Sequence, residues 1–120
     1  MSASANLDIA RAWLRAFNAH DVIALVALYD EAAVHTSPKL RARQPETGGR
    51  VTGKAALTIW WRDALERLPS LRYEETTLTA DDGRVVLEYV RHVDGEPPMS
   101  VAEVFEVRDG RIVASRVYHG

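Results

Sequence analysis

The sequence predicts an α+β domain in which three N-terminal helices cover one face of a curved antiparallel sheet, in the order ααβαββββ. Two observations indicate this class. Apolar residues recur at helical spacing before Pro69, whereas beyond it they alternate with a period of two. The turns between the later strands are also so short that those strands must form consecutive hairpins. At 120 residues, we expect one domain spanning residues 1–120.

The first two elements are predicted to be helices. Trp13 and Phe17 lie on an apolar face that repeats at helical spacing, which predicts a helix over about residues 6–19. Asp21 is a suitable N-cap for a second helix, because its carboxylate can accept from the exposed N–H groups of the first turn. The apolar face of this second helix is predicted to extend to Tyr29.

A strand, a loop and a third helix follow. The run AAVHTS, residues 32–37, predicts a short strand that ends at Pro38. Residues 39–50 are predicted to form a polar loop. Thr52 is a suitable cap for the third helix, which is expected to begin at Gly53 and to end before the next proline.

The stretch TGGRVTGKAAL, residues 47–57, matches the G-x-x-x-x-G-K pattern of phosphate-binding loops. That pattern requires a Ser or Thr after the Lys to hold Mg²⁺, and here the position is Ala55, which has no side-chain oxygen. The preceding segment contains prolines and cations, which do not suit a buried strand. We therefore interpret the stretch as the start of a helix and not as a nucleotide site.

The last half of the chain is predicted to be a meander of four strands. β-Branched and aromatic residues alternate with polar ones, and the turn sequences DDG, DGEPP and DG separate the runs. The predicted strands are LRYEETTLT (71–79), RVVLEYVRHV (84–93), SVAEVFEV (100–107) and RIVASRVYH (111–119).

Composition excludes several function classes. The formal net charge of −2 gives no electrostatic case for nucleic acid or for an anionic membrane, and no stretch is long enough to span a bilayer. The chain has no cysteine, which excludes disulfides and cysteine–zinc sites. The four histidines lack metal-ligand spacing, so we predict no metal. Together with an N-terminus that lacks a long apolar run, these features predict a cytoplasmic protein.

Four stretches together resemble the SnoaL-like and ketosteroid isomerase-like members of the nuclear transport factor 2-like superfamily. The stretches are AWLRAFNAHDVIALVALYDEAAV, TGKAALTIWW, VAEVFEV and RDGRIVASRVY, and they occur in the family's order. The resemblance implies a cone that encloses an apolar, dead-end pocket, with function in the few polar groups that project into it. Because superfamily members include isomerases, cyclases, dehydratases, epoxide hydrolases and non-enzymes, the fold does not decide the chemistry.

Glu103 is the most informative polar residue. Phe105 and Val107 share its strand face and are expected to mark the inner side, which places Glu103 in the pocket. The alternative places Ala102 and Val104 inside and leaves Glu103 in solvent. The resemblance aligns Glu103 with the pocket carboxylic acid of the isomerases, which hydrogen-bonds the substrate oxygen. In an apolar pocket its pKa is expected to be raised.

The register of the last hairpin decides which side chains accompany Glu103. A three-residue RDG turn with a glycine bulge places Ser115 and His119 on the inner face, where His119 is an acid–base partner. A two-residue DG turn moves the pairing by one residue and places Arg116 and Tyr118 there instead. The glycine position and the resemblance favour the bulged turn.

The first strand carries a similar ambiguity. Counted from its start, Thr36 matches the position of the isomerase general base and is expected to contact the substrate. Counted back from Pro38, the matching residue is Ser37, and His35 then faces the pocket beside it. Because imidazole titrates near neutrality, His35 is a candidate general base; a structural histidine is the alternative.

Aromatic residues complete the predicted pocket. Trp13, Tyr29 and Trp61 match pocket aromatics of the isomerases, while Tyr89 and Arg91 lie on a middle strand and are expected to line the mouth. Trp13 stands where the isomerases have their catalytic Tyr, and it can donate a hydrogen bond but cannot titrate. Authentic steroid isomerase activity is therefore not expected. The alternative role for the tryptophans is core packing.

These residues predict a cofactor-independent enzyme that acts on a small apolar, oxygen-bearing molecule by general acid–base catalysis. Isomerisation, dehydration, cyclisation and hydrolysis all suit such a pocket. The alternative is a non-catalytic ligand-binding or assembly module. Under either hypothesis we expect a homodimer through the outer sheet face around Val90, Ala102 and Val104. The segment from Lys39 to Lys54 has five cations and one acid, and either attracts an anionic ligand or is solvated.

Overall fold

The computed structural model describes residues 2–120 and has the predicted α+β architecture. Within these residues four α-helices lie against one face of a curved, six-stranded sheet. The helices are α1 (Ala3–Asn18), α2 (Val22–Ala27), α3 (Pro38–Arg43) and α4 (Lys54–Arg67). The strands are β1 (Tyr29–Thr36), β2 (Arg50–Thr52), β3 (Arg72–Ala80), β4 (Arg84–His92), β5 (Met99–Arg108) and β6 (Arg111–His119).

The sheet has the strand order β2-β1-β6-β5-β4-β3. The last four strands form the predicted antiparallel meander, and β2 is antiparallel to β1. One pair departs from the antiparallel prediction, because β1 and β6 run parallel. These two strands come from opposite ends of the chain, so the connection between them is long enough for a parallel crossover.

The corner between α1 and α2 forms as the sequence predicts. Asp21 caps α2 by accepting a hydrogen bond from Ala24 N at 3.0 Å. However, α2 ends at Ala27, and Tyr29 is the first residue of β1, not part of the apolar face of the helix. Tyr29 pairs with Ile112 of β6, and this strand pairing takes precedence over the helical spacing.

The segment predicted as a polar loop contains the short helix α3, a 3₁₀ turn and strand β2. Ser37 caps α3 by accepting from Lys39 N at 3.1 Å, and Pro38 occupies the first helical turn, where its missing N–H costs nothing. Leu40 is fully buried and anchors the helix. The many cations of this segment are typical of a loop, so the helix start at Ser37 and Pro38 was not recognised from the sequence.

The start of α4 also differs from the prediction. Thr52 lies in β2 opposite Val34 and caps nothing, whereas Gly53 precedes the helix without a side-chain cap. Gly53 has a φ of 92°, a conformation that glycine adopts without strain. The glycine of the G-x-x-x-x-G-K pattern therefore serves a strand-to-helix turn after an edge strand, which supports the rejection of a nucleotide site.

The final hairpin combines both registers weighed from the sequence. Arg108 pairs with Arg111 around a two-residue turn, in which Asp109 and Gly110 have φ values of 52° and 76°. The predicted three-residue turn was therefore wrong, because Asp-Gly favours the tighter turn. A β-bulge at Val113 then restores the alternation, since Val107 pairs with Ile112 and Glu106 with Ala114. Beyond the bulge the side chains have the predicted orientation.

Among residues 2–120, no helix combines the length and the apolar character that crossing a bilayer requires. The helices instead use their apolar residues to cover the sheet, with α1 against β3 and β4 and α4 against β1 and β2. Trp13, Tyr29 and Phe105 are among the largest fully buried side chains. The inner face of the sheet therefore forms one wall of the core and of the cavity within it.

Candidate active site

A cavity of about 310 Å³ lies between the inner face of the sheet and helices α1, α3 and α4. This volume is at the lower end of the range for small-molecule sites. At roughly 30 Å³ for each water-sized unit, the cavity holds about ten non-hydrogen atoms, the size of one or two fused rings. Seven of the predicted site residues line it: Trp13, His35, Trp61, Tyr89, Arg91, Glu103 and His119.

Strand β5 places Glu103 inside the cavity. Its Cα pairs with Leu87 of β4 on one side and Val117 of β6 on the other, and the residue is 1% exposed. Tyr89 Oη donates to Glu103 Oε1 at 2.9 Å. The other oxygen, Oε2, is buried and finds no hydrogen-bond partner within residues 2–120. An unpaired polar atom in this position is free to bond a ligand.

Burial raises the pKa of Glu103 to about 8, and the hydrogen bond from Tyr89 opposes this only in part. The carboxyl group is therefore protonated and neutral at pH 7. A neutral carboxylic acid can donate a hydrogen bond or a proton to a ligand oxygen, which an ionised carboxylate cannot do.

His35 lies at the end of a buried chain of hydrogen bonds. Trp13 Nε1 donates to Tyr29 Oη at 3.1 Å, and Tyr29 Oη donates to Ser115 Oγ at 3.0 Å. Ser115 Oγ lies 2.7 Å from His35 Nδ1. Burial lowers the pKa of His35 to about 4, so the ring is neutral at pH 7.

The direction of this chain selects the tautomer of His35. Tyr29 Oη accepts from the indole N–H and donates to Ser115 Oγ. Within residues 2–120 the side chain of Ser115 contacts only Tyr29 and His35 by hydrogen bonds, and Tyr29 already donates to it, so the buried Ser115 proton is directed at His35 Nδ1. A neutral ring that accepts at Nδ1 carries its proton on Nε2. Because Ser115 occupies Nδ1, Nε2 is the ring nitrogen available to the cavity, and it acts as a donor.

We expect this tautomer to depend on Ser115. In Ser115→Ala, His35 Nδ1 loses the hydroxyl proton that it accepts, so the ring no longer prefers to carry its own proton on Nε2. The Nε2–H population should fall from nearly complete to about half, a shift that the loss of one neutral hydrogen bond can produce. The ¹⁵N chemical shifts of the imidazole measure it, and His119 in the same spectrum is the internal control. A native His35 that is protonated at Nδ1 would contradict the assignment.

An aromatic wall faces these polar groups. Phe17 stacks on Tyr73 with ring centroids 4.1 Å apart, and Tyr73 stacks on Tyr89 at 4.0 Å. Trp13 extends the stack through Phe17 at 5.2 Å. Such a wall suits a flat apolar ligand, since offset stacking adds to the free energy of burying its surface.

The open end of the cavity is polar. Arg91 is 7% exposed and donates from Nη1 to Glu96 Oε1 at 2.7 Å. His119 lies here, half-buried, and burial lowers its pKa with a smaller contribution from Lys39 and Arg91. Glu96 belongs to the DGEPP turn and was not among the predicted site residues. Its place in the hairpin that follows Arg91 was the signal that could have identified it.

Three predicted ligand-contacting residues lie outside the cavity wall. Tyr29 and Ser115 are fully buried behind it and reach the cavity only through His35. Thr36 does not line the cavity, because strand alternation turns it away when His35 faces in. In this orientation the Thr36 side chain does not reach a ligand held in the cavity, so its predicted contact with substrate is not supported. Arg116 also faces outward, where it pairs with Glu106.

Comparison with known proteins places this geometry in a family. The family model of the SnoaL-like domain matches residues 10–115 of this chain. A SnoaL-like protein of unknown function from Burkholderia thailandensis superposes with a TM-score of 0.87 at 26% identity, covering 100% of this chain and 98% of the other. No curated protein matches the sequence.

Two more distant structures share the fold. A candidate polyketide cyclase from Sinorhizobium meliloti has a TM-score of 0.78 at 22% identity, covering 92% of this chain and 94% of its own. A candidate ketosteroid isomerase from Kribbella flavida has a TM-score of 0.80 at 18% identity, covering 98% of this chain and 79% of its own. At these identities the likeness concerns the fold alone.

Proposed function

This chain belongs to the SnoaL-like domain family, and we propose that it is an enzyme acting by general acid–base catalysis on a small apolar molecule that carries an oxygen. The observation that carries the proposal is the buried, neutral carboxyl group of Glu103, whose Oε2 has no partner among residues 2–120. Leaving a buried polar atom unpaired costs free energy, which a ligand oxygen would recover. A cavity beside a shifted carboxyl group favours an enzyme over a purely structural module.

In the proposed reaction Glu103 donates to the ligand oxygen and His35 Nε2–H supports it as a second neutral donor. Negative charge that develops on the oxygen is then stabilised by two fixed donors in a water-poor cavity, where such bonds are strong. Trp13 and Tyr29 act indirectly by fixing the His35 ring through Ser115. This arrangement supports the predicted hydrogen-bonding role of Glu103 and changes the role of His35 from base to donor.

The base in this scheme is His119. It lies at the cavity wall near the mouth, and its lowered pKa leaves it unprotonated near neutral pH. Removal of a proton from carbon next to a polarised carbonyl yields an enol. Enol formation is common to isomerisation, cyclisation and elimination, so we favour these over hydrolysis. Trp61 would hold the ligand body against the stacked aromatic wall, to which Tyr89 belongs.

The direct test is exchange of the α-protons of 2-tetralone in D₂O, followed by ¹H NMR. This bicyclic ketone has a carbonyl, acidic α-carbons and about the number of atoms that the cavity holds. The native chain should accelerate the exchange above the buffer rate, and 2-tetralone should saturate it. A rate equal to that of buffer at saturating probe would contradict the proposed function.

We propose, as the sequence predicts, that the reaction takes place in the cytoplasm and uses no cofactor. The absence of cysteine from the sequence fits a reducing compartment.

The proposed enzyme is a homodimer through the outer face of β4, β5 and β6. Val90, Ala102 and Val104 lie on this face and are half-buried, while Tyr118 is 54% exposed beside Ala102. Exposed aromatic and aliphatic side chains on one sheet face suit a self-complementary contact.

Sedimentation at micromolar concentration should give a dimer, and Val104→Arg should give a monomer that keeps the fold. A native monomer would contradict this assembly.

A further inference from the structure

The open end of the cavity carries an excess of positive charge. Four Lys or Arg side chains of residues 2–120 line the cavity. Arg91 pairs with Glu96 and Arg67 pairs with Asp63, whereas Lys39 and Arg43 form no salt bridge within residues 2–120. The whole chain, by contrast, has a formal net charge of −2. A cluster of cations at the mouth of an apolar cavity attracts anions, because the low-dielectric walls strengthen the field between them. The lining cations are Lys39, Arg43, Arg67 and Arg91.

Arg91 is the cation best placed to contact a ligand. It projects from the inner face of β4, where Tyr89 is the next inward residue, and its side chain is 8% exposed. A guanidinium group has five N–H donors, and the hydrogen bond that Arg91 makes through its side chain within residues 2–120 uses one of them. The partner, Glu96, is 41% exposed and can turn toward water. Arg91 therefore keeps donors that a carboxylate could engage.

Lys39 reinforces this position from a second element. It belongs to α3 and lines the same cavity as Arg91, Glu96 and His119. The charge of Lys39 adds to burial in lowering the pKa of His119 and adds to Arg91 in lowering the pKa of Glu96, which agrees with this placement. An anion bound here would meet two positive charges from two different elements.

The spacing along the sheet fixes the size of a ligand that reaches both ends. Glu103 pairs with Leu87, which precedes Arg91 by four residues on the same strand face. At about 3.3 Å per residue, the two backbone levels are about 13 Å apart. One or two fused rings with a polar group at each end suit this spacing, which agrees with the cavity volume and with the stacked aromatic wall.

We propose that the ligand is an amphipathic carboxylic acid, with its carboxylate at Arg91 and Lys39, a flat apolar body against the aromatic wall, and an oxygen at Glu103. The contact between the ligand oxygen and Glu103 rests on the function proposed above, whereas the contact between the ligand carboxylate and Arg91 does not depend on catalysis. The competing account is that Arg91 and Glu96 form only a structural ion pair that holds the β4–β5 turn.

The test compares naphthalene-2-carboxylate with naphthalene-2-carboxamide by NMR titration at pH 7. The two probes have nearly the same shape and differ in charge. The native chain should bind the carboxylate about tenfold more tightly, which is the usual gain from a charged hydrogen bond. Arg91→Gln should remove this preference. Glu96→Gln should widen it, because it frees the guanidinium group and removes a competing negative charge.

Arg84→Gln is the matched control. Arg84 lies on the same strand on the outer face, so its replacement changes the net charge equally without touching the cavity. It should leave the preference unchanged. Equal affinity of the native chain for both probes would overturn the proposal, as would a preference that persists in Arg91→Gln and does not widen in Glu96→Gln. Binding requires no turnover, so this result and the 2-tetralone result can fail independently.

Discussion

Glu103→Gln is expected to lower the rate of α-proton exchange on 2-tetralone by about 10²–10³-fold, which lies within the usual contribution of a positioned general acid. Gln keeps the shape of the protonated acid and can still receive the hydrogen bond from Tyr89, but it has no acidic proton to transfer. The loss should therefore appear in the catalytic rate more than in affinity for the ketone. The measurement is the exchange rate at saturating probe in D₂O.

Glu106→Gln is the matched control for this substitution. Glu106 lies on the same strand and faces outward, where it pairs with Arg116, so its loss should leave the exchange rate unchanged. The native rate should also fall as pH rises through about 8, because ionisation removes the proton that Glu103 donates. Equal rates in the native chain and in Glu103→Gln would remove Glu103 from the mechanism.

Glu103→Gln is also expected to stabilise the protein, by an amount that grows with pH. Glu103 has a pKa of about 8 in the folded chain against an ordinary value of 4.5. Between these values the folded state keeps a proton that the unfolded state has lost, so the free energy of unfolding falls as pH rises. At about 1.4 kcal/mol per unit, the native protein loses about 4–5 kcal/mol across this window, and the variant does not.

Urea unfolding at pH 5, 7 and 9 measures this difference. His35 changes stability in the opposite sense, since its lowered pKa makes a contribution that is complete above pH 6.5 and is lost as pH falls toward 4. His35 is present in both proteins and cancels when they are compared. In Glu106→Gln the stability difference should stay constant from pH 5 to 9, because the lowered pKa of Glu106 keeps it ionised there. A constant difference for Glu103→Gln would contradict the buried, protonated state.

The orientation of Glu103 could be predicted because its strand carries its own signal. Phe105 and Val107 alternate with it, and period-two patterning distinguishes the two faces of a strand without knowledge of its neighbours. The four strands of the meander were predictable for the same reason, because each of them pairs with the strand next to it in the sequence. The order of the elements, which the family shares, could likewise be read along the chain.

The orientation of His35 could not be predicted in this way. Its strand pairs with β6, about 80 residues later, and the parallel register that turns His35 inward and Thr36 outward is set by that distant partner. Tyr29 was assigned to a helix because its partner Ile112 is equally far away. Pairing with a strand so far away in the sequence leaves no periodic pattern in the short segment whose orientation it sets.

The bulge at Val113 was hidden for a different reason. It lies in a run of β-branched and small residues without the glycine that often marks such a site, so the sequence indicated only the turn. Glu96 was difficult to identify because charged residues in turns usually remain in solvent, and for Lys39 the sequence left open whether its segment attracts an anion or is solvated. Their role at the cavity mouth depends on the three-dimensional approach of α3 to the β4–β5 turn.

The extra residue at Val113 also means that the facing of β6 depends on pairing and not on the length of the strand. If β6 ran straight with all its residues, Val113 would pair with Glu106 and every side chain downstream would turn over. Arg116 and Tyr118 would then replace Ser115 and His119 as inward side chains. Deletion of Val113, by contrast, would remove the bulge and leave Ser115 and His119 opposite Phe105 and Val101, so a one-residue deletion at this position is expected to spare the cavity.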